Sequence, residues 1–197
     1  MIRIFTLSLF ILCNLQTHAQ QTHYIRKLIA FQEKYVTGHE VVKGDDKKFF
    51  RFFPVDKTYR LNARFTRIID TKGFIMKTSG VKNPRYFKYG TLTFTIRDTI
   101  LHLTIYQSEG LRDTDKYKNY LFVPYTDLTS GEASYGGGKY LEFYISDIKK
   151  NKVIIDFNKA YNPYCAYASG YNCPIPPREN DMNIIIEAGE MMFAKEH

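Results

Sequence analysis

The chain has 197 residues and 28 lysines and arginines against 20 aspartates and glutamates, a formal charge of +8. A chain of this length can bury most of its apolar surface in one core without a metal or several staples. Beyond its first residues no segment is long and apolar enough to cross a membrane, and neither local concentration of basic residues lies in an RNA- or DNA-binding motif.

Residues 1–19 read as a signal peptide. Arg3 gives a positive n-region, Ile4 to Leu15 is mostly apolar, and Thr17-His18-Ala19 ends in small residues at the positions a signal peptidase reads. Cleavage is expected after Ala19, exposing Gln20, which places the protein in the periplasm or outside the cell. Cys13 offers lipid attachment as an alternative, but Leu12 stands where that chemistry wants a small side chain. The rest, 20–197, has the length of a single domain by the usual prior of about 100–200 residues.

Residues 22–36 carry Ile25, Leu28, Ile29, Tyr35 and Val36 at helical spacing, with Gly38 as a stop. Val41 to Lys48 is charged and irregular. From Phe49 the pattern turns to strands. Phe49–Phe53 ends at Pro54. Over Tyr59–Ile69, Tyr59, Leu61, Ala63 and Phe65 fall on one face and Arg60, Asn62, Arg64 and Thr66 on the other. A short strand follows at Phe74–Lys77, then a hairpin of Tyr86–Arg97 and Ile100–Gln107 around Asp98-Thr99. Further strands are expected at Tyr120–Val123, Lys139–Ser146, Val153–Phe157 and Asn183–Glu187, with a turn at Lys149–Asn151. Aromatic residues are abundant (16 Tyr, 15 Phe) and suit pleated, half-buried surfaces. Helix–strand alternation is missing, which argues against a parallel α/β sheet. The expected fold is mainly β: an antiparallel barrel or sandwich with one N-terminal helix and a long C-terminal loop. The segment 158–180 is too long for an ordinary connection, and such loops are often functional.

Asp156 to Tyr167 reads DFNKAYNPYCAY, Cys173 to Asn180 reads CPIPPREN, and Glu187 to Glu190 reads EAGE. These blocks resemble the C-terminal signature of an uncharacterised bacterial family, a domain of unknown function whose members read D-F-N-x-A-Y-N-P-x-C-A, C-P-x-P-P-x-E-N and E-A-G-E. Upstream, Asp127, Thr129, Gly131, Tyr135, Gly138 and Tyr140 match the same family's pattern. Lys139 departs from it, because the family usually carries arginine there; a bidentate guanidinium fork becomes a point charge. The resemblance implies no activity.

Within these blocks the candidate ligand-binding residues are Asp127, Thr129, Tyr135, Lys139, Asp156, Asn158 and Asn162. Glycines 131 and 136–138 let backbone amides approach an anion, although the lysine-serine ending of a P-loop is absent; the alternative is a wide hairpin loop. Asp156, Asn158 and Asn162 either bind a ligand or satisfy loop backbone, as Asp and Asn often do in turns. Cys165 and Cys173 are an even pair in an exported chain and suit a disulfide; two buried thiols are the alternative. No cofactor is expected, and two cysteines alone would leave a metal half-liganded.

Among carboxylates, Asp127, Asp156, Glu187 and Glu190 are the candidates for acid–base work, which for glycoside hydrolysis requires two groups about 5–9.5 Å apart. There is no Gly-x-Ser-x-Gly elbow. His102 is the only histidine expected inside a strand. The scattered positive charge, concentrated at Arg51, Arg60, Arg64 and Arg67 and again at Lys149, Lys150 and Lys152, suits an anionic glycan, lipid headgroup or small molecule; the alternative is a solvated basic surface without a ligand. Three readings stay open: a non-catalytic envelope binding module, a carboxylate-dependent hydrolase of an envelope glycan or ester, and a structural or assembly protein.

Overall fold

The computed structural model describes residues 22–195. The expected leader, its cleavage position and Cys13 lie outside them. The chain divides at Gly38 into two compact units. The described part of the first is one helix, α1 (22–38), two residues longer than its apolar stripe alone suggested.

The second unit is built on a seven-stranded antiparallel sheet curled into a half-barrel. Its strands are β1 (Arg60–Arg67), β2 (Phe74–Ile75), β3 (Arg85–Ile96), β4 (Thr99–Ser108), β5 (Tyr120–Tyr125), β6 (Lys139–Tyr144) and β7 (Lys152–Asp156). They are ordered β6-β5-β4-β3-β1-β7, with β2 attached to β3. A one-turn helix, α2 (Glu109–Arg112), follows β4. The β3–β4 hairpin turns at Arg97-Asp98, both at positive φ, as a type I′ turn matched to strand twist requires. It sits one residue earlier than the sequence suggested.

Alternation holds where it was legible. Ala63 and Phe65 of β1 are buried while Arg60, Asn62, Arg64 and Thr66 are exposed. In β3 a bulge between Lys88 and Gly90 breaks the period. Tyr86 therefore faces away from Leu92, Phe94 and Ile96 although all four positions are even. Gly90 is required there, because a Cβ would stand 2.3 Å from the Phe65 ring.

The concave face of the sheet carries the main core: Leu92, Leu103, Ile105, Leu121, Val123, Ile155 and Phe157 have no solvent exposure. Met182, Ile186 and Ala188 of the C-terminal segment close this face. The strand expected at Asn183–Glu187 does not form. The amides of Ile184 and Ala188 instead reach back two residues, to the carbonyls of Met182 and Ile186. Such three-residue turns kink the chain and break the alternation an extended strand would have. The expected strand at Phe49–Phe53 also shrinks, to a single bridge between Phe52 and Glu190 preceded by a 3-10 turn at Gly44–Phe49.

The opposite face of the sheet holds a second, aromatic cluster of Met76, Tyr86, Tyr106, Phe122 and Tyr140. A third groups Val42, Ala166, Tyr167 and Phe193, with the His39 ring 4.7 Å from that of Tyr167.

Candidate functional site

Lys139 opens β6, and its alternation with Leu141 and Phe143 sends it to the core side. Its ammonium lies 3.2 Å from Asp127 Oδ2, with both side chains fully buried. It also donates to Thr129 Oγ1 at 3.3 Å and to the carbonyls of Ile186 and Ala188 at 3.3 and 3.4 Å. Asp127 Oδ1 accepts from the amides of Thr129 and Ile186, and Thr129 Oγ1 meets Ser134 Oγ at 2.8 Å. Burial pulls the Lys139 pKa down, and the Asp127 charge opposes that pull. The glycine loop and the C-terminal segment thus fold against each other through this ion pair. Their polar atoms are taken up inside the fold. Gly138 permits the approach: it has positive φ, and a Cβ would stand 2.8 Å from Pro176 Cγ. Tyr135 lies on the other side of the loop, half-buried against the third cluster.

The remaining candidates fall into separate networks. Asn158 accepts from the Asp56 amide and donates to its carbonyl, and also donates to Asp156 Oδ1 at 3.1 Å. Asn162 donates to the Met191 carbonyl, while its amide donates to Glu190 Oε2. Glu190 is fully buried and its Oε1 accepts from Tyr167 Oη at 2.6 Å. Glu187 is exposed. Of the four carboxylates considered for acid–base work, Asp127 is ion-paired, Asp156 and Glu190 are held by amides and a phenol, and Glu187 stands on the surface. Cys165 and Cys173 are joined by a disulfide with a Cα–Cα distance of 6.2 Å. Among the described residues no group of three or more His, Cys, Asp or Glu could hold a metal ion.

The exposed chemistry lies on the outer face of β7, β1, β3 and β4. Register makes Lys152 the partner of Arg64, Arg64 the partner of Thr93, and Thr93 the partner of His102. One row across four strands therefore reads Lys152–Arg64–Thr93–His102. The adjoining row contains Ile154 and Asn62 on β7 and β1, and Thr95 and Ile100 on β3 and β4. Arg64, Lys152 and His102 are exposed, and Arg64 and Lys152 make no ion pair among the described residues. Like charges placed directly opposite in a sheet destabilise it. Lys149 and Lys150 join this surface, because the β6–β7 turn is tied to β1 by the bond from the Phe65 amide to the Asn151 carbonyl. Arg60 and Arg64 of the first basic concentration thus share a surface with the second through the β1–β7 pairing.

A family described as protein of unknown function (DUF1684) matches residues 48–191, a range that takes in the whole sheet. The chain belongs to the DUF1684 family. No curated protein matches it. The DUF1684 chain is similar to an uncharacterized protein of Haloarcula marismortui determined by solution NMR, with 26% sequence identity and a TM-score of 0.65. That likeness covers 88% of this chain and 96% of the other. Neither description names a ligand, so the site of this DUF1684 domain is argued from its own geometry. Sequence reading noticed its basic residues one cluster at a time. What it lacked was the strand register that sets Lys152 against Arg64.

Proposed function

We propose that this chain is an exported, non-catalytic binding domain of the cell envelope, periplasmic or secreted, whose ligand is an acidic glycan. The docking surface is the outer face of β7, β1, β3 and β4. One observation carries this reading: the fold holds Lys152 opposite Arg64, with His102 in the same row, and neither Lys152 nor Arg64 has an ion pair among the described residues. An anionic ligand would relieve a repulsion that the free protein tolerates. Thr93, Thr95 and Asn62 add neutral hydrogen-bonding groups that suit hydroxyls and carboxylates. The exposed Ile154 and Ile100 are separated across that row by Asn62 and Thr95, so the face lacks the contiguous apolar wedge that would favour a bilayer.

Titration with a soluble polyuronate, using neutral dextran as control, tests the reading. Polyuronate should bind with an affinity that falls as salt rises, and dextran should not. Replacing Arg64 and Lys152 together by glutamate should weaken polyuronate binding at least about tenfold, a change of about 1.4 kcal/mol. Undiminished binding by that double variant would remove the face from consideration. Export is tested separately by mass spectrometry of the secreted chain, whose first residue should be Gln20.

A further inference from the structure

The ladder between β1 and β3 ends before either strand does. Its pairs run from Arg67↔Gly90 to Arg64↔Thr93, yet β1 starts at Arg60 and β3 continues to Ile96. Continued in the same register, Asn62 would stand against Thr95 and Leu61 against Ile96. Neither pair forms. In this stretch β1 keeps its pairing with β7, from Arg64↔Lys152 to Arg60↔Asp156, while β3 stays with β4 as far as Ile96↔Thr99. The sheet therefore parts into two arms. A cavity of 340 Å³ lies at the parting, lined by Leu61, Thr95 and Ile96 from the separated strands and by Asp56, Tyr59 and Arg97 beside them. Small-molecule sites commonly have volumes of about 300–1,000 Å³.

The polar groups on this cavity do not neutralise one another. Arg97 and Asp56 make no ion pair among the described residues. Arg97 Nη2 donates to Tyr59 Oη at 3.4 Å, and the Glu187 amide donates to the same oxygen at 3.3 Å. Both bonds use the phenol as acceptor, so its single proton has no acceptor among the described residues. Tyr59 is only 4% exposed, and a phenol so buried usually finds a partner for its proton. Asp56 Oδ1 accepts from the Thr58 amide, which leaves Oδ2 without a hydrogen bond among the described residues. Leu61 and Ile96 add apolar surface. A ligand that fits these groups carries a carboxylate for Arg97 and the Tyr59 proton, hydroxyls that donate to Asp56, and an apolar ring face.

We propose that this cavity binds one uronic-acid residue at the end of an acidic glycan chain. The assignment rests on the acidic-glycan reading of the neighbouring basic face. Thr95 lines the cavity and also stands in the second row of that face, so the two surfaces are continuous. The face attracts the chain through its charges, and the cavity has room for a single sugar ring.

Amide NMR titrations with the methyl glycosides of galacturonic and glucuronic acid, their methyl esters and the matching neutral hexosides test the proposal. At least one acid should bind and shift the amides of Tyr59, Leu61 and Ile96. Its ester and neutral hexoside should bind about tenfold more weakly or not at all, because the charge-assisted bonds to Arg97 are lost. Arg97→Gln should weaken the acid by about tenfold or more with an unchanged melting temperature, and Arg97→Lys should recover part of the affinity. The double variant of the face, Arg64→Glu with Lys152→Glu, should keep the monosaccharide to within about threefold at physiological salt. Failure of both acids to shift those amides, equal affinity for the ester, or indifference to Arg97→Gln would overturn the cavity's assignment. Polyuronate binding that still depends on Arg64 and Lys152 would then leave the face standing. The reverse pattern, an acid held in the cavity of a protein indifferent to polyuronate, would support the cavity and remove the face.

Discussion

Lys139 Nζ lies 3.2 Å from Asp127 Oδ2 with neither side chain reaching solvent. Removing one member of such a pair leaves the other charge buried and uncompensated, which costs about 3–5 kcal/mol. Lys139→Met should therefore lower the unfolding free energy measured by urea denaturation by about that much. Asp127→Asn added to it should recover part of the loss, since an amide oxygen can still accept from the Thr129 and Ile186 amides. A double variant no better than the single one would show that the ion pair is not what the site depends on.

Asn180 should be the costliest asparagine to lose. Its side chain accepts from the Thr104 amide at 2.7 Å and donates to the carbonyls of Thr104 and Pro124. These bonds bridge β4 and β5, whose ladder shows only the Tyr106–Phe122 pair. Each buried group left without a partner costs about 1–3 kcal/mol. Asn180→Ala should thus destabilise by about 3 kcal/mol or more, and hydrogen exchange at the Thr104 amide should speed up. Slow exchange in the variant would contradict this.

His39 should make stability fall in mild acid. Its Nδ1 accepts from the Val42 amide at 3.0 Å, which requires a neutral ring. Burial, then the charges of Lys47 and Lys43, lower its pKa from 6.5 to about 4, with Glu40 opposing them. The unfolded chain takes up the proton first as pH drops, so the contribution is complete above 6.5 and disappears as pH falls towards 4. The loss amounts to about 3 kcal/mol at most. Denaturation midpoints measured from pH 7.5 to 4 should show it, and His39→Asn should flatten that part of the profile. An identical slope in the variant would assign the acid sensitivity to other groups.

The bridge between Cys165 and Cys173 spans a sequence separation of 8. A loop of that size contributes about 2–3 kcal/mol when its ends are tied. Replacing both cysteines by serine should lower stability by up to that amount and leave the sheet's circular dichroism intact. Loss of the sheet signal would mean the bridge holds far more than its own loop.

Local patterns made the strands legible, because alternation in β1 and the β3–β4 hairpin depends on neighbours in sequence. The networks were harder to see. Asn158 reads as either a ligand-binding or a loop-satisfying residue, and its side chain pairs with the peptide groups of Asp56. Asn180, for which the local sequence shows no role, bridges β4 and β5. A side-chain amide has the same donor and acceptor as a peptide group, so it can complete a ladder that the backbone leaves open. Lys139 was readable in principle: alternation with Leu141 and Phe143 places it inward. The general rarity of buried lysines pointed the other way, and Asp127, which makes that burial tolerable, is a dozen residues off in sequence. Glu142, whose Oε1 accepts from the phenols of Tyr120 and Tyr161, gave no local sign at all. Its two phenols come from β5 and from beyond β7, and only the folded sheet brings them together.

The closure of the concave face by Met182, Ile186 and Ala188 bears on the order of assembly during synthesis. The hairpins emerge from the ribosome well before the segment that covers them, and until it arrives their apolar side stays open to water. Chains stalled before residue 182 should remain digestible by protease, whereas those extended past Phe193 should resist it. Protection of the concave face should therefore appear only once this last segment has docked.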